Sequence, residues 1–352
     1  MPKLLLTAPT GKAADIIGGV TIHKAFEFPN SVQMLDEEIT EIPKMLRNIS
    51  TVVIDELSMV RVDVFTKIMQ VLQFAKYQNQ NIRLIALCDF AQLRPVTTLA
   101  DTEIMEMLYP DIKGYYAFNS PMWEEAHFEK IVLHNVFRQN DAEFIELLQG
   151  IRFGRLTDIN RIMKNALPFL PAKPVYICSK RKTVDDINRS AIEQFGKDDF
   201  LITYQAEYSG SLPEELLCPE KLTVNIGVRV LCCSNDKNYK NGMIGTVKSL
   251  DSDKIIVAFD NGKSATVRRK TFELENGMKY RQFPLTLGYA ITAHKAQGST
   301  FESVAIVCDG YFEAGQLYCA LNRYPSLENM TFIGELKQSD LVVNIEALKM
   351  TF

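Results

Sequence analysis

The sequence predicts an α/β fold with two parallel-sheet domains and a small antiparallel β-barrel inserted in the second. Runs of β-branched residues such as 51–54 alternate with amphipathic helix patterns, which is typical of strands buried in a parallel sheet. Between about 205 and 280 the pattern changes to short alternating runs separated by Asn-Gly pairs. A chain of 352 residues is also too long for one ordinary core. We therefore expect more than one domain.

Domain boundaries are expected where these patterns change. The first domain should cover 1–132, the second 133–204 and 281–352, and the barrel 205–280. The predicted strands of the parallel sheets lie at 3–9, 51–54, 81–89, 175–178 and 304–309. The predicted helices lie at 10–17, 64–74, 133–148, 179–188 and 315–323, and the only tryptophan, Trp123, is expected in a core.

The inserted barrel is predicted from its turns. The pairs Asn241-Gly242 and Asn261-Gly262 favour tight hairpins because both residue types accept positive φ. Residues 268–270, with the sequence Arg-Arg-Lys, give the barrel a basic rim. Such a rim is usually a solvated face, and here it is also a candidate contact for a nucleic-acid backbone.

Composition limits the function classes. The apolar content of 47% and the charged content of 23% are those of a soluble globular protein, and no window approaches the roughly 20 apolar residues of a membrane span. We therefore expect a protein without membrane association, in the cytoplasm or, in a eukaryote, in the nucleus or mitochondrion. The seven cysteines form no CxxC pair and the four histidines show no metal-ligand spacing, which argues against zinc. The net charge of −4 does not indicate a nucleic-acid binder, although a local basic channel is compatible with it.

Two adjacent carboxylates, Asp55 and Glu56, follow the strand at 51–54 directly. Ligands of α/β proteins bind at the carboxyl edge of the sheet, where this strand ends. In nucleotide hydrolases the first acid of such a pair holds Mg²⁺ and the second polarises the attacking water. The alternative is a strand end with solvated carboxylates. A second strand ends at the same edge with Asp89 and Gln92, and the Gln92 amide can both donate and accept a hydrogen bond near a γ-phosphate.

The pair Gly11-Lys12 lies where a strand becomes a helix, but it is not a phosphate loop. That motif has a glycine five residues before Gly11, where this chain has Leu6, and a Ser or Thr after the lysine, where it has Ala13. The backbone N–H groups of the helix start still favour an anion such as a DNA phosphate, the alternative being a plain strand-to-helix turn. His23, taken alone, is more often structural than functional.

Two arginines are candidates for phosphate contacts. Arg138 is expected near a domain junction, where it suits a phosphate, with a surface charge as the alternative. Arg323 lies near the end of the helix at 315–323 and is suited to stabilise charge on a departing γ-phosphate across a domain cleft.

Seven blocks of the chain resemble those of the PIF-type DNA helicases, the five-prime to three-prime branch of helicase superfamily 1. In chain order the blocks are 8–14 (Ala-Pro-Thr-Gly-Lys-Ala-Ala), 21–24 (Thr-Ile-His-Lys), 54–59 (Ile-Asp-Glu-Leu-Ser-Met), 89–95 (Asp-Phe-Ala-Gln-Leu-Arg-Pro), 137–139 (Phe-Arg-Gln), 290–298 (Ala-Ile-Thr-Ala-His-Lys-Ala-Gln-Gly) and 315–323 (Gly-Gln-Leu-Tyr-Cys-Ala-Leu-Asn-Arg). They span nearly the whole chain in the family's order. The resemblance implies two RecA-like domains with ATP and Mg²⁺ between them, translocation on single-stranded DNA and unwinding of duplex DNA.

The resemblance also implies roles for single residues. The nucleotide side would comprise Asp55 as the Mg²⁺ ligand, Glu56 as the catalytic base, Gln92 as the γ-phosphate sensor, Arg138 and Arg323 as a pair on the transition state, and Gln297, Gly298 and Gln316 as further nucleotide contacts. The single strand would pass Pro9, Thr10, Lys12, His23, His294 and Lys295. The polar excursion at 27–50 would be the wedge that splits the duplex, and the protein is expected to be monomeric.

Departures from the family pattern are informative as well. The phosphate loop of the family would lie a couple of dozen residues before Lys3, so we expect it on a missing N-terminal segment or on a partner chain. A first domain without that strand is expected to have a groove and unpaired backbone groups. Asn322 stands where Ser or Thr is usual, and Arg94 where proline is common. An ATP-independent single-strand DNA binder is the alternative function, and a non-helicase nucleotide switch is disfavoured by block 290–298 and the barrel.

Overall fold

A computed structural model of the protein describes residues 3–29, 31–33, 38–139, 141–171, 173–198, 200–210, 216–273, 278–298, 301, 303–324, 326–327 and 330–351. The strands are β1 (Leu4–Ala8), β2 (Val20–Thr21), β3 (Thr51–Ile54), β4 (Arg83–Ala86), β5 (Val175–Cys178), β6 (Ile202–Gln205), β7 (Glu207–Tyr208), β8 (Lys221–Val224), β9 (Arg229–Cys232), β10 (Ile244–Leu250), β11 (Lys254–Phe259), β12 (Ser264–Arg268), β13 (Lys270–Glu273), β14 (Lys279–Gln282), β15 (Leu285–Leu287), β16 (Ala290–Thr292), β17 (Val304–Val307) and β18 (Met330–Ile333). The helices are α1 (Gly11–Ile16), α2 (Ile22–Phe26), α3 (Val62–Tyr77), α4 (Leu99–Leu108), α5 (Ala142–Arg152), α6 (Leu156–Asn165), α7 (Arg181–Asp198), α8 (Ala293–Ala296), α9 (Gln316–Leu321) and α10 (Ile345–Lys349).

The first domain contains a parallel sheet of four strands in the order β2-β1-β3-β4. Its central strand β3 alternates half-buried and buried residues, because α3 and the aromatic cluster around Phe65 cover the sheet. Trp123 packs against that core with its ring centroid 5.2 Å from that of Phe65, which confirms its predicted core position. The predicted strands at 3–9, 51–54 and 81–89 are all present, and the last is shorter than predicted.

Strand β4 has an open edge, since among the described residues it pairs only with β3. Ile85 and Leu87 beside that edge are 42% and 45% exposed. The segment 129–138 is exposed and belongs to no helix or strand, and its apolar side chains Ile131 and Phe137 are 78% and 88% exposed. Exposed apolar side chains beside unpaired strand backbone are a place where a further strand can pair. The four described strands form one continuous sheet, so the expected unpaired backbone groups lie at its β4 edge.

The second domain contains another parallel sheet, in the order β16-β5-β17-β18. The predicted strands at 175–178 and 304–309 correspond to β5 and β17. The helix predicted at 133–148 begins later, at Ala142, because Asp141 caps it: one carboxylate oxygen accepts from the N–H groups of Glu143 at 2.9 Å and Phe144 at 3.1 Å. The start of that helix prediction was therefore wrong, since residues 133–139 belong to no helix.

The antiparallel strands form sheets of five, three and two strands. They extend from Ile202 in β6 to Leu287 in β15, which is wider than the predicted range 205–280. Residues 285–287 were expected to return to the α/β pattern, and that expectation is wrong. Leu285 is fully buried in the barrel core, and β15 pairs antiparallel with β9.

One of the two predicted hairpins is confirmed. Asn261-Gly262 joins β11 to β12, and Gly262 has φ +79°. Asn241-Gly242 also forms a tight turn, with the Met243 N–H donating to the Lys240 carbonyl at 3.2 Å and Gly242 at φ +83°, but this turn lies within the longer loop 233–243 that joins β9 to β10. Asn235 holds that loop together by accepting a hydrogen bond from the Asn241 N–H at 2.7 Å.

The excursion at 27–50 is described except for residues 30 and 34–37, which lie outside the described residues. Its short 3-10 helix Lys44–Leu46 places Leu46 fully buried in the first core, so this end of the excursion is anchored. The wedge function stays a prediction. No helix among the described residues combines the length and the apolar content needed to cross a membrane.

Candidate functional site

The predicted acid pair lies at the carboxyl end of β3. The Asp55 N–H donates to the Thr7 carbonyl at 2.9 Å, so Asp55 still belongs to the sheet. Glu56 turns the chain out of the sheet with left-handed angles, φ +52° and ψ +44°. A left-handed glutamate is uncommon and costs backbone energy, which at a site edge indicates a constrained position.

The second domain reaches Glu56 through Gln297. The Gln297 Nε2 lies 3.4 Å from the Glu56 Oε2, although the residues are separated by 241 positions. Gln297 is 7% exposed, and its Oε1 is buried without a hydrogen-bond partner among the described residues. An unpaired buried amide oxygen costs free energy, so this oxygen fits a donor that arrives with a ligand.

The electrostatics of the edge favour a base at Glu56. Burial, followed by repulsion from the Asp55 carboxylate, raises the pKa of Glu56 above its ordinary value, and this outweighs the attraction of Arg323 and the Gln297 hydrogen bond. A carboxylate with a raised pKa accepts a proton more readily than a solvated one.

Glu56→Gln is expected to raise the melting temperature near neutral pH by about 2 °C and to leave it unchanged below the ordinary pKa. A raised pKa in the folded state gives stability that is full below the unfolded value of 4.5 and is lost as the pH rises through the folded value. The neutral amide loses nothing over that range. Thermal unfolding on both sides of the window checks this, and equal melting temperatures at neutral pH would contradict it.

Arg323 lies beside this edge and is 1% exposed. Its Nε donates to the Cys319 carbonyl at 2.7 Å, whereas its Nη2 is buried without a partner in the described part of the chain. Burial lowers the pKa of Arg323, and Arg138 lowers it further by repulsion. The two predicted arginines are therefore close to each other, with an unpaired donor that fits an anion.

Asn322 and Gln139 fix the position of this arginine pair, a contact that the sequence did not predict. The Gln139 Nε2 donates to the Asn322 Oδ1 at 2.8 Å, and the Arg138 Nη1 donates to the Asn322 carbonyl at 3.2 Å. The asparagine that departs from the family pattern thus holds the segment carrying Arg138. The only sequence signal was that Gln139 follows Arg138.

Gln92 lies where the two domains meet. Its Nε2 is 3.4 Å from the Asp89 Oδ2, and its Oε1 is 3.8 Å from the Cys319 sulfur. Asp89 also accepts a hydrogen bond from the Arg152 Nη2 at 2.8 Å, which joins the loop after β4 in the first domain to α5 of the second. Arg152 carried no motif, so the sequence did not indicate this link.

Gly315 of the second domain packs closely against the first domain. It has φ +75°, and a Cβ at this position would overlap the Ala91 and Gln92 carbonyl groups. Only glycine meets both conditions without strain.

Gly315→Ala is expected to lower the free energy of unfolding by about 1–3 kcal/mol, because strain at positive φ adds to the overlap. Gly262→Ala is the matched control, since Gly262 has φ +79° and nothing lies within 4 Å of the position that a Cβ would take there. Urea unfolding of both variants measures the difference. An equal loss in the two variants would show that the close approach has no energetic consequence.

Gln316, which the resemblance places among the nucleotide contacts, lies inside the second domain. Gln316 is fully buried, its Oε1 accepts from the Phe312 N–H at 3.1 Å, and its Nε2 donates to the Ser179 carbonyl at 3.1 Å. Both ends of the amide are used inside the second domain, and a contact with the nucleotide stays a prediction.

The predicted DNA contacts of the first domain surround the start of α1. Thr10 caps this helix, with its Oγ1 accepting from the Ala13 N–H at 3.2 Å, and Pro9 precedes it. The Lys12 side chain lies outside the described part of the chain. His23 lies in α2, and burial, followed by Arg61, lowers its pKa, so a neutral imidazole is favoured.

Predicted contacts of the second domain lie on α8. His294 is 28% exposed with its Nε2 3.0 Å from the Glu313 Oε2, and the exposed Lys295 donates its backbone N–H to the capping Thr292. Gly298 follows with φ +74°, and a Cβ there would lie 3.5 Å from Ile16 of α1. The structure therefore brings α8 and α1 to the same side of the interface.

The predicted basic rim of the barrel is largely engaged inside the protein. The Lys270 Nζ is 2.8 Å from the Asp236 Oδ2, and the Arg269 Nη1 donates to the Gln205 carbonyl at 2.8 Å. Arg269 and Lys270 are thus held by protein partners and Arg268 is exposed, while the contact of this rim with a nucleic-acid backbone stays a prediction.

The fold and the site define a two-domain α/β nucleotide hydrolase whose domains share the acidic edge. The chain belongs to the PIF1-like helicase family, whose family model matches residues 2–161. It is 32% identical over 354 aligned residues to the ATP-dependent DNA helicase Pif1 of Campylobacter jejuni, covering 87% of this chain and 77% of that protein.

Solved structures give the same result. The Pif1 helicase from Bacteroides in complex with ADP-AlF3 and ssDNA is 28% identical, with a TM-score of 0.80, and the match covers 99% of this chain and 86% of that chain. A structure of two coordinating Pif1 helicases at forked dsDNA is 29% identical, with a TM-score of 0.83 and the same coverage of 99% and 86%. The predicted fold class is confirmed.

Proposed function

We propose that this chain is the motor of an ATP-dependent DNA helicase that translocates on single-stranded DNA and unwinds duplex DNA, five-prime to three-prime. The observation that carries the proposal is the contact of Gln297 with Glu56, supported by the attraction between Arg323 and Glu56. These contacts join the two domains at one acidic edge, so opening and closing of the cleft can follow the nucleotide state.

The residues at the acidic edge of the first sheet have different roles in ATP hydrolysis. Glu56 accepts a proton from the attacking water, and Arg323 with Arg138 faces the charge that develops on the phosphoryl group. The unpaired Arg323 Nη2 and Gln297 Oε1 fit a nucleotide and its bound water. Asp55 would hold Mg²⁺ together with phosphate oxygens, because Mg²⁺ is usually bound by one or two carboxylates plus the phosphates of the substrate. When bound, the metal neutralises phosphate charge.

The nucleotide phosphates also need a phosphate-binding loop, and the open edge of β4 indicates the position of that loop. No G-x-x-x-x-G-K-[ST] loop occurs in the 352 residues. We propose that one further parallel strand pairs with β4, covers Ile85 and the exposed segment 129–138, and ends in such a loop beside Asp89. The loop would then lie at the same sheet edge as Asp55 and Glu56.

Two proteins test this proposal. One is the 352-residue chain, and the other, the loop-fused protein, carries ahead of it a designed apolar strand, a G-x-x-x-x-G-K-[ST] loop and a crossover helix. We expect both proteins to bind a fluorescent oligothymidine with an affinity that falls steeply with salt. Only the loop-fused protein should hydrolyse ATP when the oligothymidine is bound. ATP hydrolysis by the unfused chain would contradict the proposal of a further strand at β4, and failure to bind oligothymidine would contradict the proposed function.

Unwinding gives the second measurement. The loop-fused protein is expected to open a fork with a five-prime single-stranded tail and not one with a three-prime tail. We propose that a monomer suffices, which light scattering with and without the oligonucleotide would check. If the loop-fused protein binds oligothymidine but does not hydrolyse ATP, the alternative of an ATP-independent single-strand DNA binder is favoured. The absence of a phosphate loop from this sequence is the observation that keeps that alternative open.

A further inference from the structure

Glu313, which no motif assignment covers, is shared between the two domains. Its Oε1 accepts a hydrogen bond from the Arg94 Nε at 2.6 Å, and its Oε2 lies 3.0 Å from the His294 Nε2. Arg94 belongs to the loop after β4, in the first domain, whereas His294 lies on α8 of the second. The Glu313 side chain is only 11% exposed, whereas those of Arg94 and His294 are 42% and 28% exposed, so the carboxylate is shielded from water more than its partners are.

The backbone around Glu313 is held just as closely. Gly315, two residues further on, packs against the carbonyl groups of Ala91 and Gln92, and its N–H donates to the Val342 carbonyl at 3.1 Å. The turn carrying Glu313 thus rests on the loop that carries Gln92. A displacement of that loop relative to the second domain must change the distance between Arg94 and Glu313.

The Glu313 carboxylate carries one negative charge and has two partners, Arg94 and His294. Burial acts to raise the pKa of Glu313, but the hydrogen bonds from His294 and Arg94 outweigh it and hold the pKa below its ordinary value. Glu313 is therefore a carboxylate with two partners. With Arg94 in place, its negative charge is compensated by a fixed cation. Without Arg94, His294 remains as the partner of the Glu313 carboxylate among these two residues. His294 is also the side chain expected to lie along the single-stranded DNA.

We propose that Glu313 is a positioning residue that links the Gln92 loop to the grip of His294 on single-stranded DNA. When the cleft is closed, Arg94 occupies one carboxylate oxygen, the other oxygen holds the His294 Nε2, and the second ring nitrogen of His294 can face a DNA phosphate. When the loop withdraws, the uncompensated carboxylate competes with the phosphate for His294 and the grip weakens. The inference rests on the proposed function, because it requires His294 to lie beside the strand.

The test is a set of oligothymidine affinities of the 352-residue protein, measured by fluorescence anisotropy. Arg94→Gln is expected to weaken binding about threefold to tenfold, the range of coupling between residues in one network. Arg94→Lys should retain most of the affinity. In the Glu313→Gln background, Arg94→Gln should change binding by less than about twofold, because the uncompensated carboxylate is gone. In the His294→Gln background it should likewise have little effect.

Arg161→Gln is the matched control, since Arg161 is a half-exposed arginine that pairs with Glu143 at 3.4 Å and with Asp158 at 3.5 Å within the second domain. It should leave binding unchanged. Equal losses from Arg94→Gln with and without Glu313 would overturn the inference, because Arg94 would then act on the DNA by itself. Suppose that the wild-type protein binds oligothymidine normally but the effects of Arg94→Gln and Glu313→Gln simply add. That result rejects only the inference. If the wild-type protein does not bind oligothymidine, the proposed function and the inference are both rejected.

Discussion

Glu56→Gln is expected to lower strand-stimulated ATP turnover of the loop-fused protein by about 10²–10⁴-fold, the usual contribution of a general base. The amide has nearly the shape of the carboxylate but cannot accept the proton of the attacking water. Because the Gln297 Nε2 donates to Glu56, the amide oxygen of the variant can still accept this hydrogen bond, and the domain contact should persist.

The expected pattern is a loss of turnover without a loss of binding. Oligothymidine affinity should stay within about twofold of wild type, since Glu56 does not lie among the predicted strand contacts. Glu193→Gln on the exposed face of α7 is the control for the loss of one negative charge. Turnover of Glu56→Gln within about tenfold of wild type would show that another group accepts the proton.

The acidic edge could be predicted because its signal is local. Four β-branched residues followed directly by Asp55 and Glu56 place the carboxylates at the end of a strand, whatever the rest of the fold does. The same holds for Thr10 at a helix start. The left-handed conformation of Glu56 and its raised pKa depend on burial, so they emerged only from the structure.

Contacts between the domains could not be predicted from local patterns. Arg152 and Asp89 are 63 positions apart, Gln139 and Asn322 are 183 apart, and the link from Arg94 spans 219. Each of these side chains is an ordinary polar residue in its own segment. Only the packing of one sheet domain against the other gives them their partners.

Polar residue types do not by themselves show whether a side chain is buried. Gln316 and Lys270 belong to classes that are mostly exposed, so a ligand contact was a reasonable expectation. In the structure both are satisfied by neighbouring protein groups. The Asn241-Gly242 turn is present, but a glycine with positive φ marks a turn and does not fix the length of the loop around it.

Arg323→Gln is expected to lower turnover of the loop-fused protein by about 10³-fold or more, as loss of an arginine finger does in phosphoryl transfer. Arg323 is held by one hydrogen bond to Cys319 and keeps an unpaired buried donor near Glu56. Such a donor is costly until charge develops in front of it, so its interaction is made mainly in the transition state. The KM for ATP should therefore change much less than kcat.

Arg323→Lys should not restore turnover, because an ammonium group on a shorter reach lacks the planar pair of donors that phosphate oxygens accept. Stability separates this catalytic role from a structural one. Removing an incompletely paired buried cation should leave the melting temperature unchanged or raise it, whereas loss of a structural ion pair would lower it. Arg268→Gln, on the exposed barrel rim, controls for the lost charge. If Arg323→Gln lowered turnover only in proportion to unfolded protein, Arg323 would be a core residue and the arginine facing the phosphate would have to be Arg138.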